Sequence, residues 1–316
     1  MNRKDFLKNI GAGTLAMTLA PNFLMAENFS SLELSSTKKI TILHTNDQHS
    51  RIEPFDASYT KNPNQGGFAR RASLIQQIRS KEDNVLLLDS GDIFQGTPYF
   101  NFFGGELEFK LMSMMKYDAA TMGNHDFDNG LEGFLKVLPN AKFPFICSNY
   151  DFKNTILDGQ TIPYKIFNKN GIKVGIFGLG IQLEGLVGKK SYQETIYNNP
   201  VEIAQHYGNF LKNDKKCDLV ICLSHLGYDY NNESNKISDT KLASQTQNID
   251  LILGGHTHTF LPEPQTLLNK DGKKILVNQV GWAGLLLGRL DFYFDENKNV
   301  KNVAWQNQVI DNTIVV

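Results

Sequence analysis

The stretch Gly-Asn-His-Asp-Phe-Asp at residues 123–128 combines a turn-forming glycine with an amide, an imidazole and two carboxylates. Mostly apolar residues precede it at 119–122, and an apolar pattern with helical spacing follows over 131–138. A strand, a turn and then a helix would place these polar groups at the carboxyl edge of a sheet, where open α/β folds bind ligands. Taken alone, the stretch is also compatible with an ordinary polar turn.

Four further clusters of His and Asp follow apolar runs that have the composition of buried strands. They are Asp-x-His after residues 39–44, Gly-Asp after 85–88, a single His after 219–223, and Gly-His-x-His after 249–253. Five of the seven histidines therefore stand just behind predicted strands, which scattered structural histidines would not do. The other two, His44 within the first strand and His206 on a predicted helix over 203–211, are interpreted as structural.

The side chains in these clusters are of the types that ligate metals. Asp and Asn oxygens with imidazole nitrogens suit Zn, Mn, Fe or Co, and the lack of thiolates among them argues against a structural zinc site. Seven candidate ligands are too many for one ion with an open position, but they suit two ions that share a bridging carboxylate. In an extended chain Asp47 and His49 would point to the same face.

The first 26 residues are predicted to be an export signal, with a basic start and an apolar run over 10–20. That run has 11 residues, whereas a membrane-spanning helix needs about 20. The motif Arg-Lys-x-Phe-Leu-Lys at 3–8 resembles a twin-arginine signal with one Arg replaced by Lys, so folded export and ordinary secretion both stay open. We expect an exported protein of the periplasm or cell envelope without a stable membrane span.

Residues 27–38 are Ser-rich and are predicted to form a linker, so the folded domain is expected over 39–316. A net charge of −1 offers no general electrostatic attraction for nucleic acid or an anionic membrane, and no nucleic-acid binding is expected. Hairpins are predicted at Asn170-Gly171 and around residues 270–273 and 295–299. A helix is predicted to open at 66–71, with Arg70 and Arg71 on its solvated face; the alternative is that one of them reaches toward an anion.

The five motifs together resemble the ordered motif set of the calcineurin-like metallophosphoesterases, and the surrounding sequence is similar to the 5′-nucleotidase branch of that family. The matching text is Leu-His-Thr-Asn-Asp-Gln-His at 43–49, Gly-Gly-Phe-Ala-Arg at 66–70, Asp-Ser-Gly-Asp-Ile-Phe-Gln-Gly-Thr at 89–97 and Gly-Asn-His-Asp-Phe-Asp at 123–128. The resemblance covers nearly all of residues 39–310.

The resemblance implies an α/β fold, a four-layer α/β/β/α sandwich of the metallophosphoesterase type, with two divalent metal ions at the strand ends. It assigns one ion to Asp47, His49, Asp92 and His258. It assigns the other ion to Asp92, Asn124, His225 and His256, so that Asp92 bridges the two. Some relatives carry Gln where this chain has His258.

The resemblance also implies the chemistry. A hydroxide held between the two ions attacks phosphorus, while the ions neutralise phosphoryl oxygens. His125 is the implied catalytic histidine, either stabilising the phosphoryl oxygens or protonating the leaving oxygen, and Asp128 orients it. For Asp126 a structural hydrogen bond is at least as good an interpretation as a catalytic one.

Two-domain 5′-nucleotidases continue into a C-terminal domain that binds the phosphate and the base, whereas this sequence stops at Val316. The expectation is that a separate substrate-binding protein of the C-terminal type supplies this half, or that simpler phosphate esters are accepted. Three functions stay open. They are a nucleotide phosphomonoesterase, a broader or cyclic-nucleotide phosphodiesterase, and a metal-binding non-catalytic subunit of a two-chain assembly.

Overall fold

The computed structural model describes residues 38–230, 233 and 235–316. The predicted export signal and residues 27–37 of the predicted linker lie outside these ranges. Lys38 already belongs to the first strand, so the linker prediction ends one residue too late. In the described part of the chain, no helix is both long enough and apolar enough to cross a bilayer.

The strands build two large sheets and one small ribbon. In chain order they are β1 (Lys38–Thr45), β2 (Val85–Asp89), β3 (Ala119–Ala120), β4 (Tyr150–Asp151), β5 (Tyr164–Lys169), β6 (Ile172–Leu179), β7 (Ile196–Tyr197), β8 (Leu219–Ser224), β9 (Leu251–Leu253), β10 (Gln265–Leu268), β11 (Lys274–Asn278), β12 (Leu286–Phe294) and β13 (Val300–Val309).

The first sheet has the order β13-β12-β1-β2-β3, and the second has the order β10-β11-β9-β8-β6-β5. Strands β1, β2 and β3 run parallel to one another, as do β6, β8, β9 and β11. The ribbon pairs β4 with β7. Because parallel strands end at a common edge, each sheet collects the turns that follow its strands on one side.

Helices cover the outer faces of both sheets. They are α1 (Phe68–Arg79), α2 (Pro98–Phe103), α3 (Glu106–Met114), α4 (Gly130–Val137), α5 (Lys189–Tyr192), α6 (Pro200–Asn209) and α7 (Asp239–Gln245). A 3₁₀ turn spans His125–Phe127, and a second one spans Leu138–Asn140. A π turn over Phe210–Asp214 extends α6.

The layers follow from alternation along the strands. On β2, Leu87 packs with Phe109 of α3 and Phe134 of α4, whereas Leu86 and Leu88 point into the core between the sheets. Inner-facing side chains of both sheets form that central core, including Ile42, Ile176, Ile221 and Leu290. A third cluster joins the second sheet to α6 and α7. The predicted four-layer α/β/β/α sandwich is therefore confirmed.

The three predicted hairpins are confirmed, since β5–β6, β10–β11 and β12–β13 are antiparallel neighbours around the predicted turns. Asn170 and Gly171 both have positive φ, at 53° and 79°, as a type I′ turn requires. The helix that carries His206 begins at Pro200, earlier than predicted, and Asn199 caps it by accepting the Val201 N–H.

The prediction that Arg71 lies on a solvated helix face is wrong. Its side chain is buried, its guanidinium lies over the ring of Phe68 at 4.1 Å, and it donates to Gln48 Oε1. Arg71 shares the 3–4-residue spacing of Phe68 and Ile75, so helical geometry turns it inward with them. Arg70, one residue earlier, is half-buried, and its guanidinium donates to the Asn64 carbonyl oxygen.

Candidate metal centre

The five predicted clusters meet at one place, between the carboxyl edges of the two sheets. The turns after β1, β2 and β3 come from the first sheet, and those after β8 and β9 come from the second. The close approach of the β2 and β3 turns requires glycine. A Cβ on Gly91 would lie 2.4 Å from the backbone N of Gly123, and one on Gly123 would lie 2.2 Å from Asp92 Oδ1.

The first group of ligand atoms belongs to Asp47, His49 and His258, and all of them lie within 4.8 Å of one another. Nε2 of His258 is 2.9 Å from Nε2 of His49 and 3.3 Å from Asp47 Oδ1. Two imidazole nitrogens and a carboxylate oxygen thus converge on one point, which is the arrangement of donors around a cation.

The second group belongs to Asp92, His225 and His256, again within 4.8 Å. Nε2 of His225 is 3.1 Å from Asp92 Oδ2, and Nδ1 of His256 is 2.8 Å from Asn124 Oδ1. The same Asp92 oxygen is 3.8 Å from Nε2 of His49 in the first group. Asp92 therefore lies between the two groups, so the structure brings together all seven predicted ligands.

The backbone at these residues departs from the extended geometry expected from sequence. Asp47 and His49 have φ of 49° and 48°, and Asp92, His256 and His258 also have positive φ. The expectation that Asp47 and His49 leave an extended chain on one face is therefore wrong. Strand β1 ends at Thr45, and left-handed turns redirect both side chains. Asp and His are among the residues that tolerate this region better than most.

Backbone carbonyls orient two of the imidazoles. Nδ1 of His225 is 2.6 Å from the Ser90 carbonyl oxygen, and Nδ1 of His49 is 3.2 Å from the Phe94 carbonyl oxygen. A carbonyl can only accept, so Nδ1 carries the proton in both rings. Nε2 is therefore the nitrogen of each ring that faces the carboxylates, which is the usual orientation of metal-binding histidines.

The sequence left both a structural and a catalytic interpretation open for Asp126, and its hydrogen bonds favour the structural one. Its carboxylate accepts backbone N–H bonds from Asp92, Ile93, Phe94 and Gly123 at 2.8–3.2 Å. These bonds fasten the loop that holds Asp92 to the turn that holds Asn124. The buried Asp126 faces backbone amides, so the structure gives it a positioning role.

His125 stands beside both groups. Its Nδ1 is 2.9 Å from Asp128 Oδ2, and its ring centroid is 5.3 Å from that of His49. The hydrogen bond that His125 donates to Asp128 raises the pKa of His125, and burial opposes that shift. Nδ1 is occupied by Asp128, so Nε2 is the nitrogen that a substrate can meet. The side chain is 36% exposed, which leaves it accessible.

Burial and charge set the protonation of the ligands. Burial lowers the pKa of His49, and it lowers the pKa of His256 to about 4. Burial raises the pKa of Asp92, but the imidazoles of His225 and His49 outweigh it and keep that pKa below its usual value. Neutral imidazoles and ionised carboxylates are the forms that bind divalent cations.

His225 provides the test of whether these residues fit a metal ion. Burial opposes its protonation, yet Asp92 raises the pKa of its imidazole to about 10. Nε2 of His225 is nevertheless a buried atom without a hydrogen-bond partner among the described residues, although Asp92 is close. Two ligand atoms that approach each other without a hydrogen bond suit a shared cation, which would replace the proton. The donor set therefore fits two divalent ions.

Sequence reasoning missed two groups that support the centre. Asn46 donates to Asp47 Oδ2 at 2.6 Å, and the indole of Trp282 stacks on the imidazole of His258. Asn46 lies within a quoted motif, so its position was a usable signal. Trp282 comes from a turn before β12, and no local pattern marks it. His44 is structural as predicted, since it is buried and its Nε2 meets Asn278 Nδ2 at 2.8 Å.

Residues 40–260 match the family model described as Calcineurin-like phosphoesterase, and the chain belongs to that family. Within this class it is similar to 5′-nucleotidases. It is 37% identical over 283 residues to a snake venom 5′-nucleotidase of Crotalus adamanteus, which covers 83% of this chain and 46% of the relative. It is 32% identical over 289 residues to the trifunctional nucleotide phosphoesterase protein YfkN of Bacillus subtilis (strain 168), which covers 81% of this chain and 18% of that protein.

The solved 5′-nucleotidase precursor of Thermus thermophilus has the same fold, with a TM-score of 0.78 at 30% sequence identity. That match covers 88% of this chain and 56% of the Thermus chain. The chain thus spans about half the length of the 5′-nucleotidases it matches. The family predicted from the five motifs is confirmed.

Proposed function

We propose that this chain is the catalytic domain of an exported phosphomonoesterase of the 5′-nucleotidase type that uses two divalent metal ions. The observation that carries the proposal is the place of Asp92 between two groups of ligand atoms, with His125 beside them. Similarity to named 5′-nucleotidases supports the reaction, and nucleotides are the proposed substrates. The basic and apolar pattern of residues 1–26 supports export to the periplasm or cell envelope.

In this proposal Asp47, His49 and His258 hold one ion and Asn124, His225 and His256 hold the other, while Asp92 contributes to both. When bound, two divalent ions supply a water-derived nucleophile at neutral pH and neutralise charge on the phosphoryl group. Zn, Mn, Fe and Co all suit the mixed nitrogen and oxygen donors.

The chain's own residues complete the reaction. His125 presents Nε2 towards the phosphoryl group, and its backbone N–H donates to Asp92 Oδ1 at 2.8 Å. Asp128 accepts a hydrogen bond from Nδ1–H, which fixes the tautomer and favours the protonated ring. A protonated His125 can donate a hydrogen bond to a phosphoryl oxygen or a proton to the leaving oxygen.

Chelation tests the proposal. Purified protein should hydrolyse AMP, lose that activity in EDTA, and regain it with Mn, Co or Zn. Activity that survives complete removal of metal would refute the two-ion centre. A metal-loaded protein that hydrolyses no phosphoester would instead support the non-catalytic subunit.

A separate substrate-binding chain of the C-terminal type stays a prediction.

A broader phosphoesterase is the second candidate, and the similarity to YfkN favours it, because that relative is named a trifunctional nucleotide phosphoesterase. The discriminating measurement compares AMP, a 2′,3′-cyclic nucleotide, a UDP-sugar and an aryl phosphate under one metal condition. Preference for AMP by kcat/KM supports the nucleotidase. Comparable values for the cyclic diester would favour the broader enzyme.

A further inference from the structure

A chamber of about 960 Å³ opens at the carboxyl ends of β6 and β8. Its walls come from the loop after β6, the segment that leads into α6, and the loop that follows His225. Ile181 and Leu226 form apolar parts of the wall, and Leu226 is the residue directly after the proposed ligand His225. This volume lies at the upper end of the range for small-molecule sites, about 300–1,000 Å³.

A smaller cavity of about 250 Å³ adjoins the chamber, and three wall residues are common to both: Gln182, Glu184 and Tyr197. Three tyrosines line it, namely Tyr150, Tyr192 and Tyr197. The ribbon of β4 and β7 places Tyr150 opposite Tyr197, and their ring centroids are 6.1 Å apart at 51°. We call the chamber and this cavity together the tyrosine recess.

Thr195 supplies a second, independent observation in the tyrosine recess. It lines the small cavity, and its Oγ1 is buried without a hydrogen-bond partner among the described residues. Leaving a buried hydroxyl unpaired is unfavourable. Such an atom in a cavity wall therefore indicates a bound group that supplies the missing hydrogen-bond partner. The aromatic lining and the unpaired hydroxyl together suit a flat ring with a polar edge.

The tyrosine recess lies close to the proposed reaction. The ring of Tyr150 packs on that of Phe127, with centroids 5.5 Å apart, and Phe127 is in the same 3₁₀ turn as His125. Leu226 connects the chamber to His225 on the other side. A phosphoryl group beside His125 and His225 would therefore have its alcohol portion within reach of the recess.

The charged residues of the chamber wall restrict which alcohol portion of a substrate the recess can bind. Glu184 and Glu233 are carboxylates on the chamber wall. Among the described wall residues the one ammonium is that of Lys236, which lies over the ring of Tyr230 at 4.0 Å. Two carboxylates disfavour a second phosphate group, but they can accept hydrogen bonds from the hydroxyls of a sugar. A neutral, hydroxyl-bearing alcohol fits this wall better than a polyphosphate does.

We infer that the tyrosine recess binds the alcohol portion of the substrate, and that this portion is a neutral nucleoside whose base enters among the tyrosines. The inference rests on the proposed function and assigns nucleoside recognition to residues of this chain. Tyr197 and Thr195 are the specificity-determining residues. Tyr197 offers a stacking face, and Thr195 offers a hydroxyl to a polar edge of the base.

The experiment uses the full chain loaded with Mn and the variants Tyr197→Leu and Thr195→Val. Tyr293→Leu is the matched control, because Tyr293 pairs with Lys39 at the other end of β1, away from the recess. Adenosine binding is measured by calorimetry, and KM is measured for AMP and for glycerol 2-phosphate, which has no ring.

Tyr197→Leu should weaken adenosine binding and raise the KM for AMP, each on the order of tenfold, because a stacking partner is lost. The KM for glycerol 2-phosphate should stay within about twofold. Thr195→Val preserves shape, so it should stay folded and show a smaller change in the same direction. Equal effects on both substrates, or adenosine binding that neither variant weakens, would overturn the inference.

Failure of the inference and failure of the proposed function give different results. If the protein hydrolyses AMP but the recess variants match Tyr293→Leu, the function holds and the recess assignment is wrong. If adenosine binds in a Tyr197-dependent way but AMP is not hydrolysed, the recess assignment holds and the hydrolase proposal is wrong.

Discussion

The imidazole of His258 and the indole of Trp282 are stacked nearly parallel, with ring centroids 5.6 Å apart and an interplanar angle of 8°. His258 has 40% of its side chain accessible, whereas the side chains of Asp47, His49, Asp92 and His225 are 7% accessible or less. An exposed imidazole can rotate away from an ion, and the indole restricts that rotation from one side. Trp282 in turn is held by the edge-on ring of Phe55 at 5.9 Å.

Replacement of Trp282 should therefore weaken one ion more than the other. Trp282→Leu is expected to lower the affinity of the Asp47–His49–His258 group by about tenfold or more, as loss of an orienting partner does. Stepwise metal titration of the chelated protein measures both affinities. Trp305→Leu, on β13, is the matched control and should leave both unchanged. Parallel losses in the two variants would mean that general destabilisation, not stacking, is responsible.

His125→Ala separates catalysis from metal binding. The variant should keep both ions, because His125 belongs to neither group of ligand atoms. Turnover should fall by a factor on the order of 10² or more, since a positioned proton donor is lost. Elemental analysis measures the metal content, and AMP hydrolysis by the same sample measures the turnover. Loss of an ion would show that His125 is a ligand and that its assignment here is wrong.

The pH profile tests the pairing of His125 with Asp128. The hydrogen bond to Asp128 raises the pKa of His125 in the folded protein, so the protonated ring persists to higher pH. If that ring is the proton donor, activity declines as pH rises through this pKa. Asp128→Ala removes the cause of the shift, so the declining limb of kcat should move to lower pH. An unchanged limb would exclude His125 as the titrating group.

Asp126 should matter for the fold of the centre rather than for its chemistry. Asp126→Ala leaves four buried backbone N–H groups without an acceptor, and each unpaired group costs about 1–3 kcal/mol. We expect a loss of at least about 3 kcal/mol in the free energy of unfolding, measured by urea denaturation. Asp158→Ala, at an exposed position, is the control. A fully stable Asp126→Ala that has lost only turnover would favour a catalytic role.

Local patterns in the sequence predicted the strand ends at which the centre lies, whereas the four-layer sandwich was predicted from the resemblance to the metallophosphoesterases. Apolar runs marked the strands, and ligand types directly after them marked a common edge, whatever the connections between strands. The backbone conformation of the turns could not be predicted from these patterns. The left-handed conformations at Asp47 and His49 arise from contacts with the β2 turn, such as the bond from the His49 N–H to the Asp92 carbonyl.

Other features depend on tertiary contacts that leave no local signal. Trp282 reaches His258 from a separate turn, and the tyrosine recess joins residues near 150, 182 and 195 through the ribbon of β4 and β7. Arg71 is charged, and its burial becomes intelligible only once Gln48 and the ring of Phe68 are seen around it. Its charge alone predicts that such a residue lies on the surface.

The division of the ligands between the two sheets has a mechanical consequence. Each group draws on both sheets, because Asp47 and His49 meet His258, and Asp92 meets His225 and His256. Every bound ion would therefore cross-link the two halves of the sandwich at one edge. An ion present at about 100 times its dissociation constant adds about 2.7 kcal/mol to the folded state. The supply of metal would then govern the lifetime of the folded domain as well as its turnover.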